Sequence, residues 1–218
     1  MERLYEMAGR CFCVSFARPE DVTRCHEIGQ SVMLDNGAFS AWRLGNPVAD
    51  WNGYYRFADK WLDYPTTWAV IPDVIDGTEE EQDRLVTDWP FRERGAPVWH
   101  MNENLERFWR LCLDWPRVCI GSTSVYSEPL SEPWKRRMDA AFDRVSLLKF
   151  PPWLHMLRGM DCAGKRWPFA SLDSTDIARN HNRPQNTPEG MAKRWDSIQC
   201  RGFRSWEREQ FTQEIFAP

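Results

Sequence analysis

Short apolar runs alternate with amphipathic stretches along most of this 218-residue chain, and that alternation limits the folds open to it. Short apolar runs bounded by turn residues predict buried strands, and apolar residues at helical spacing predict helices between them. Repeated β-α units are typical of a parallel sheet covered by helices. The predicted strands are Cys11–Phe16, Ser31–Leu34, Trp68–Ile71, Pro97–His100, Val118–Gly121, Trp153–Leu157 and Phe169–Leu172.

Helix signals occur between these runs. Thr78 precedes three consecutive Glu residues, an acidic first turn that suits the helix dipole. The other predicted helices are Pro19–Ile28, Trp51–Leu62, Asn102–Leu113 and Glu132–Ser146. Seven or eight such units predict an α/β fold: a (β/α)8-type, TIM-like barrel with parallel strands and outer helices. It would be trimmed relative to the roughly 250 residues of a typical barrel. An open doubly wound sheet is the alternative, but no Gly-x-Gly-x-x-Gly follows the first strand.

The length predicts one domain over residues 1–218, with about 180–218 forming a polar loop followed by a helical region. The formal net charge is −4, but residues 158–218 carry 10 Lys/Arg against 8 Asp/Glu. That excess is consistent with an anionic partner near the C-terminal third and equally with a solvated helix surface. Seven scattered Cys without a Cys-x-x-Cys pair indicate a reducing, cytoplasmic setting, with Cys13, Cys112 and Cys119 as buried thiols. No signal peptide or membrane-length apolar run is seen.

Three predicted strands end near an Asp, at Asp35, Asp73 and Asp173. The carboxyl ends of parallel barrel strands carry the active site, so these carboxylates are candidates for a shared function. One carboxylate can attack an electrophilic sugar carbon, and a second can move a proton to the leaving group. A third can accept hydrogen bonds from the N–H groups of a heterocycle, on which an aromatic ring such as Phe39 can stack.

In these features the chain resembles the tRNA-guanine transglycosylase superfamily, including its DNA-modifying, phage-type relatives that install 7-deazaguanines. Leu34-Asp35-Asn36-Gly37-Ala38-Phe39 resembles the family's Asp-Ser-Gly-Gly-aromatic motif, and Ile71-Pro72-Asp73 its purine-reading strand. Cys119–Thr123 resembles the Ile-Gly-Gly-Leu turn, and His155–Gly159 the Leu-Met-Gly-Val-Gly strand. Phe169–Ser174 resembles the strand that carries the nucleophile.

The resemblance implies a (β/α)-barrel pentosyltransferase that exchanges guanine in a nucleic acid for a free 7-deazaguanine through a covalent intermediate, as in queuosine-type modification. Asp173 would be the nucleophile and Asp35 the general acid/base. The resemblance implies no cofactor. The base would be contacted by Asp73, Asn36, the Gly121-Ser122 backbone and His100, and sandwiched between Phe39 and Met156. Strand alternation puts His155 opposite Met156, packed or hydrogen-bonded among helices.

The chain departs from the tRNA enzymes at their zinc site. Cys162 and Cys200 are isolated, so no metal site is predicted, and the substrate is expected to be DNA rather than tRNA. The target base must be flipped or single-stranded. Arg179 and Arg183, with Arg201, Arg204 and Arg208, are candidates for phosphate contact. A partner protein or a homodimer is expected to help hold the polymer.

Other interpretations of the same residues stay open. Asp35 and Asp73 could be turn or helix caps, and Asp176 competes with Asp173 as the functional Asp. Phe39 and Met156 could be core residues, and the Arg residues a solvated face. The whole chain could be a retaining nucleoside or glycoside hydrolase, or a catalytically silent barrel that binds nucleic acid.

Overall fold

The computed structural model describes residues 2–198, 200, 202, 203 and 206. The chain divides into two compact units, Met1–Val98 and Trp99–Pro218. Strands β1–β4 form one four-stranded sheet and β5–β8 form another. The predicted α/β class is therefore confirmed. The single-domain organisation over residues 1–218 stays a prediction.

The first sheet contains four parallel strands in chain order. They are β1 (Cys11–Ser15), β2 (Ser31–Asp35), β3 (Thr67–Val70) and β4 (Gly95–Ala96). In the register, Leu34 pairs with Val14 on one side and with Ala69 on the other. The helices of this unit are α1 (Glu2–Tyr5), α2 (Val22–Ile28), α3 (Ala38–Arg43), α4 (Asn52–Trp61) and α5 (Glu79–Thr87).

The second sheet also follows chain order. Its strands are β5 (Val98–His100), β6 (Arg117–Gly121), β7 (Trp153–Met156) and β8 (Ser171–Leu172). Strand β7 pairs in parallel with β6 and β8, with His155 opposite Cys119 and Ser171. The helices are α6 (Leu105–Asp114), α7 (Glu132–Ser146), α8 (Asp176–Asn180) and α9 (Pro188–Asp196).

Pro97 alone separates β4 from β5, so the predicted strand Pro97–His100 corresponds to β5 only, and β4 (Gly95–Ala96) lies outside the predicted range. Proline has no N–H to give to a ladder, which explains why regular pairing stops there. The eight strands consequently come from seven separate segments of the described chain. Closure into a complete (β/α)8 barrel stays a prediction.

Local signals set most helix boundaries. Helix α5 begins with a capping box in which the Glu81 N–H donates to Thr78 Oγ1 at 3.3 Å and the Thr78 N–H donates to Glu81 Oε2 at 2.8 Å. Helix α6 begins at Leu105 rather than at the predicted Asn102, because Asn104 caps it by accepting the Glu106 N–H at 2.9 Å. Helix α7 has the predicted bounds.

Tyr54 ties the first unit's helix layer to its sheet. Its fully buried hydroxyl lies 3.0 Å from the Leu34 carbonyl oxygen and 2.7 Å from that of Val70. Leu34 lies in β2 directly before the candidate carboxylate Asp35, and Val70 ends β3 shortly before the candidate carboxylate Asp73. Tyr54 thereby holds the ends of two neighbouring strands from which candidate site residues emerge.

The second unit has an apolar core between its sheet and helices α6 and α7. Strands contribute Val118, Ile120, Leu154 and Met156, and α7 contributes Trp134 and Phe142, all with at most 1% exposure. Alternating strand residues point to opposite faces, so this core uses only one face of β6 and β7. The other face is free to carry polar groups.

The prediction of a buried Cys13 is wrong. Cys112 and Cys119 are buried, as predicted, but Cys13 and Cys11 are exposed. The two thiols alternate with Val14 along β1, and it is Val14 that is buried. An apolar run with one covered face exposes every second side chain, whatever its hydrophobicity.

The predicted polar loop after residue 180 is followed by α9, whose Thr187 cap accepts the Gly190 N–H at 3.0 Å. Arg201, Arg204 and Arg208, and most of the predicted final helical region, lie outside the described residues. Within the described ranges, no helix combines the length and apolar character that a membrane crossing requires.

Candidate active site

Asp35 stands where β2 turns into α3. The carboxylate accepts the Gly37 N–H through Oδ2 at 3.2 Å. Gly37 has φ of +80°, and a Cβ there would lie 3.3 Å from the Ala17 nitrogen, so this turn needs glycine. The motif Asp35-Asn36-Gly37 is therefore a strand-to-helix turn that leaves the Asp35 side chain partly exposed.

Asn36 connects this turn to Asp73. Its Nδ2 donates to the Ile71 carbonyl at 2.9 Å and to Asp73 Oδ1 at 2.7 Å, while its Oδ1 accepts the Ala38 N–H at 2.8 Å. Asn36 and Asp73 have 2% and 6% exposure. With both amide hydrogens used inside the protein, Asn36 supports Asp73 and has no N–H left for a base. The prediction that Asn36 contacts the base is therefore replaced by a supporting role.

Phe39 is half-buried on α3. Its ring packs against Trp42 with centroids 5.7 Å apart, and the Arg43 guanidinium lies 6.0 Å from its centroid. The Trp42 indole N–H donates to Asp76 Oδ2 at 2.5 Å, which fixes the second ring. The cluster is aromatic and partly open, as stacking on a base requires.

Asp173 follows β8 directly and belongs to a polar cluster of the second unit. Its Oδ1 lies 2.6 Å from the Arg158 backbone nitrogen, which donates to it, and 3.2 Å from His155 Nε2. The other nitrogen of His155, Nδ1, lies 2.7 Å from Ser171 Oγ. The Asp173 side chain is 14% exposed and that of His155 is 5% exposed.

The Arg158 N–H reaches Asp173 through an unusual backbone conformation. Arg158 has φ of 52°, in the left-handed region that non-glycine residues rarely adopt. Backbone strain of this kind is concentrated at functional sites. Here it directs a main-chain donor from the end of β7 to the carboxylate beside β8.

The structure corrects the predicted roles of Met156 and His155. Met156 is fully buried in the core against the helices, where it has no face open to a base. His155 lies on the opposite face of β7, as strand alternation predicts, but it contacts Asp173 rather than packing among helices. Strand alternation correctly placed the two side chains on opposite faces of β7, and Met156 lies on the face that packs into the core.

His100 is buried at the end of β5, beside a buried ion pair. Its backbone N–H donates to Glu103 Oε2 at 3.0 Å, and Arg107 donates to the same oxygen at 2.6 Å. Burial raises the pKa of the Glu103 carboxyl, although Arg107 and His100 act to lower it. At 2% exposure, His100 could contact a base only if its neighbours moved.

The remaining predicted contacts divide into buried and exposed groups. Ser122 is 6% exposed, and its hydroxyl accepts the Trp134 indole N–H at 2.9 Å, so that side chain belongs to the core. The Gly121 carbonyl accepts the Met101 N–H at 3.0 Å. Arg179, on α8, and Arg183, just after it, are exposed.

No group of three or more His, Cys, Asp and Glu among the described residues is arranged to hold a metal ion. Cys162 is buried and Cys200 exposed, and they do not fit the zinc site of the tRNA enzymes.

No protein-family model matches the chain. No curated protein matches it either. Among solved structures, a chain from Aquifex aeolicus VF5, described only as a structural study, is 9% identical with a TM-score of 0.44. The likeness covers 80% of this chain and 86% of that one, and it carries no information about activity.

Sequence reasoning missed the groups that support the carboxylates. Asn36 lies 37 positions from Asp73, and His155 lies 18 positions from Asp173. In each case the two residues meet because they lie on neighbouring strands or the turns that follow them. The signal in the sequence was a polar residue near the end of the preceding strand.

Proposed function

We propose that this protein is a pentosyltransferase that exchanges guanine in a nucleic acid for a 7-deazaguanine, with Asp173 as the nucleophile. The observation that carries the proposal is the state of the Asp173 carboxylate. Oδ1 is held by two donors, and Oδ2 accepts no hydrogen bond from the described residues. A carboxylate with one anchored and one open oxygen is suited to attack carbon.

In the proposed first step, Asp173 Oδ2 forms a bond to the anomeric carbon of the nucleotide. The bond from that carbon to guanine N9 breaks, and its electron pair leaves with the base, which takes up a proton. In the second step, N9 of the incoming 7-deazaguanine loses its proton, attacks the same carbon and displaces Asp173. The resemblance assigns both proton transfers to Asp35.

Features of the first unit support a role in base recognition. Asp73 is buried and oriented by Asn36, as an acceptor for purine N–H groups should be. Phe39 offers a partly open ring. These roles, like that of Asp35, rest on the order and type of the sequence motifs.

DNA is the favoured polymer because the cysteines do not fit the zinc site that accompanies tRNA binding in the family that this chain resembles. Exposed Arg179 and Arg183 are the candidate phosphate contacts. If they bind phosphate, polymer binding should weaken as salt rises. The proposal includes a partner protein or a second copy of the chain that helps to hold the polymer.

The test is base exchange with purified protein. DNA or tRNA carrying radiolabelled guanine is incubated with excess 7-deazaguanine, and released label is counted. Asp173→Asn removes the nucleophile, and Asp176→Asn is the matched control three residues away, where the side chain accepts the Asn180 amide at 2.6 Å. Denaturing gels without incoming base detect the covalent protein–polymer adduct.

Release from DNA with wild type and Asp176→Asn, but not with Asp173→Asn, would support the proposal. Release from tRNA alone would keep the chemistry and change the polymer. Label released without incorporation of 7-deazaguanine would indicate the retaining hydrolase instead. Binding without any release, unchanged by Asp173→Asn, would indicate a silent nucleic-acid-binding protein.

A further inference from the structure

His155 uses both ring nitrogens inside the second unit. Nδ1 lies 2.7 Å from Ser171 Oγ and Nε2 lies 3.2 Å from Asp173 Oδ1. The contact with Ser171 follows from the register, because the two residues are paired across β7 and β8. Asp173 lies two residues beyond Ser171 and so projects on the same side of the sheet.

The chemistry of the partners selects one tautomer. An ionised carboxylate only accepts hydrogen bonds, so His155 must carry its proton on Nε2 to interact favourably with Asp173. In the neutral ring Nδ1 is then an acceptor, and the Ser171 hydroxyl can donate to it. Ser171 therefore stabilises the tautomer that His155 needs.

Together with the Arg158 N–H, His155 fixes one oxygen of Asp173. Two donors from different directions at Oδ1 restrict rotation of the carboxylate and leave Oδ2 as the oxygen without a donor among the described residues. Orienting a nucleophile before the reaction lowers the entropy that must be lost in the transition state.

We propose that His155 is the positioning residue for Asp173 and that Ser171 sets its tautomer. The proposal rests on the proposed function for its catalytic consequence, but its geometric content can be tested separately. His155 is 5% exposed in its side chain, so it acts through Asp173 and does not itself contact substrate.

The same three residue types occur in serine hydrolases, where serine is the nucleophile. The two possible nucleophiles, Ser171 and Asp173, therefore predict opposite effects of substitution on turnover. If Asp173 is the nucleophile, Asp173→Asn abolishes turnover and Ser171→Ala only reduces it. If Ser171 is the nucleophile, Ser171→Ala abolishes turnover, and that result would overturn the positioning proposal.

The first measurement is NMR of protein labelled with ¹⁵N at histidine, in which only four His residues must be assigned. Long-range proton–nitrogen spectra distinguish the two neutral tautomers. We expect the Nε2–H form for His155, an added Nδ1–H population in Ser171→Ala, and a changed Nε2 signal in Asp173→Ala. An Nδ1–H ring in the wild type, or spectra unchanged by both substitutions, would overturn the proposal.

The second measurement is steady-state base exchange with His155→Ala and His155→Gln, whose folding is checked by circular dichroism. Losing a hydrogen bond to a charged group predicts a fall in kcat of about 10- to 100-fold for His155→Ala, with KM little changed. His155→Gln keeps an N–H donor and should recover most of kcat. Equal losses in the two folded variants, or no loss in His155→Ala, would contradict positioning.

The two proposals can fail separately. If the wild type exchanges no base, the proposed function fails, while the NMR spectra still decide whether His155 holds Asp173 in the predicted tautomer. If base exchange depends on Asp173 but is unaffected by His155→Ala, the function stands and the positioning proposal fails.

Discussion

Asn36 provides the strongest test of the buried network in the first unit. Its amide makes three hydrogen bonds, to the Ile71 carbonyl, to Asp73 Oδ1 and from the Ala38 N–H, at 2.7 to 2.9 Å. Asn36→Ala removes all three and leaves Asp73, only 6% exposed, without this donor. We expect this substitution to destabilise the unit that contains it.

The magnitude follows from the kinds of bond that are lost. A neutral hydrogen bond contributes about 0.5–1.5 kcal/mol net, and one to a charged group about 1.5–3 kcal/mol. Two neutral bonds and one bond to a carboxylate give roughly 2.5–6 kcal/mol. That is a large fraction of the roughly 5–15 kcal/mol by which a typical domain is stable.

The assay is urea unfolding followed by tryptophan fluorescence and far-UV circular dichroism. The two probes are compared because two compact units need not unfold together. With an m value of about 2–3 kcal/mol per molar urea, the midpoint of the affected transition should fall by about 1–3 M. Asn36→Asp should also destabilise at neutral pH, because it places a second carboxylate against Asp73.

Asn52→Ala is the matched control, since Asn52 is an exposed residue of the same unit on α4. Exposed substitutions usually change stability by less than about 0.5 kcal/mol. If Asn36→Ala shifted the midpoint no more than Asn52→Ala does, the buried network would not contribute as argued. Destabilisation by Asn36→Asp that did not lessen in acid would contradict the role assigned to charge repulsion.

Two further predictions concern buried ionisable groups. Burial raises the pKa of Glu103 above its unfolded value, so protonation of this carboxyl favours the folded state. The resulting contribution to the free energy of unfolding is present below the unfolded pKa and is lost as pH rises through the folded pKa. Glu103→Gln should therefore match the wild type in urea unfolding near pH 4 and be equally or more stable near pH 7; a loss of stability confined to pH 7 would show that pairing with Arg107 dominates. Burial also raises the pKa of the Cys25 thiol to about 11 and that of Cys162 to about 12, and it raises the pKa of Cys112 as well. Alkylation of the native protein near pH 8, read by mass spectrometry, should therefore be confined to the exposed thiols Cys11, Cys13 and Cys200, since Cys119 is buried as well. Equally fast modification of the four buried thiols would contradict it.

The periodicity of the sequence predicted most of the secondary structure. Helix α7 has the predicted bounds, Glu132–Ser146, and the acidic turn after Thr78 begins α5. These signals are local, because caps and apolar spacing act within one element. The short strand β4 was not predicted, and the predicted start at Pro97 is one residue early, because proline cannot donate to a ladder and β5 begins at Val98.

The faces of the strands were harder to predict. Alternation separates His155 from Met156, but it does not say which face the helices cover. Met156 joined the core because α7 supplies Trp134 and Phe142 on its side of the sheet. Cys13 was misplaced for the same reason, since its side chain is exposed while that of the next residue in β1, Val14, is buried.

The two carboxylates that the structure describes best, Asp73 and Asp173, share one arrangement. Each follows a strand, and each accepts a hydrogen bond from a side chain on or just after the preceding strand, Asn36 or His155. Parallel strands bring their carboxyl ends to one edge, so residues far apart in sequence meet there. A motif search identifies the carboxylate but not the side chain that hydrogen-bonds to it, because that contact depends on the register between neighbouring strands. Substitution of Asn36 or His155 should therefore alter the carboxylate's orientation without removing any group that contacts substrate.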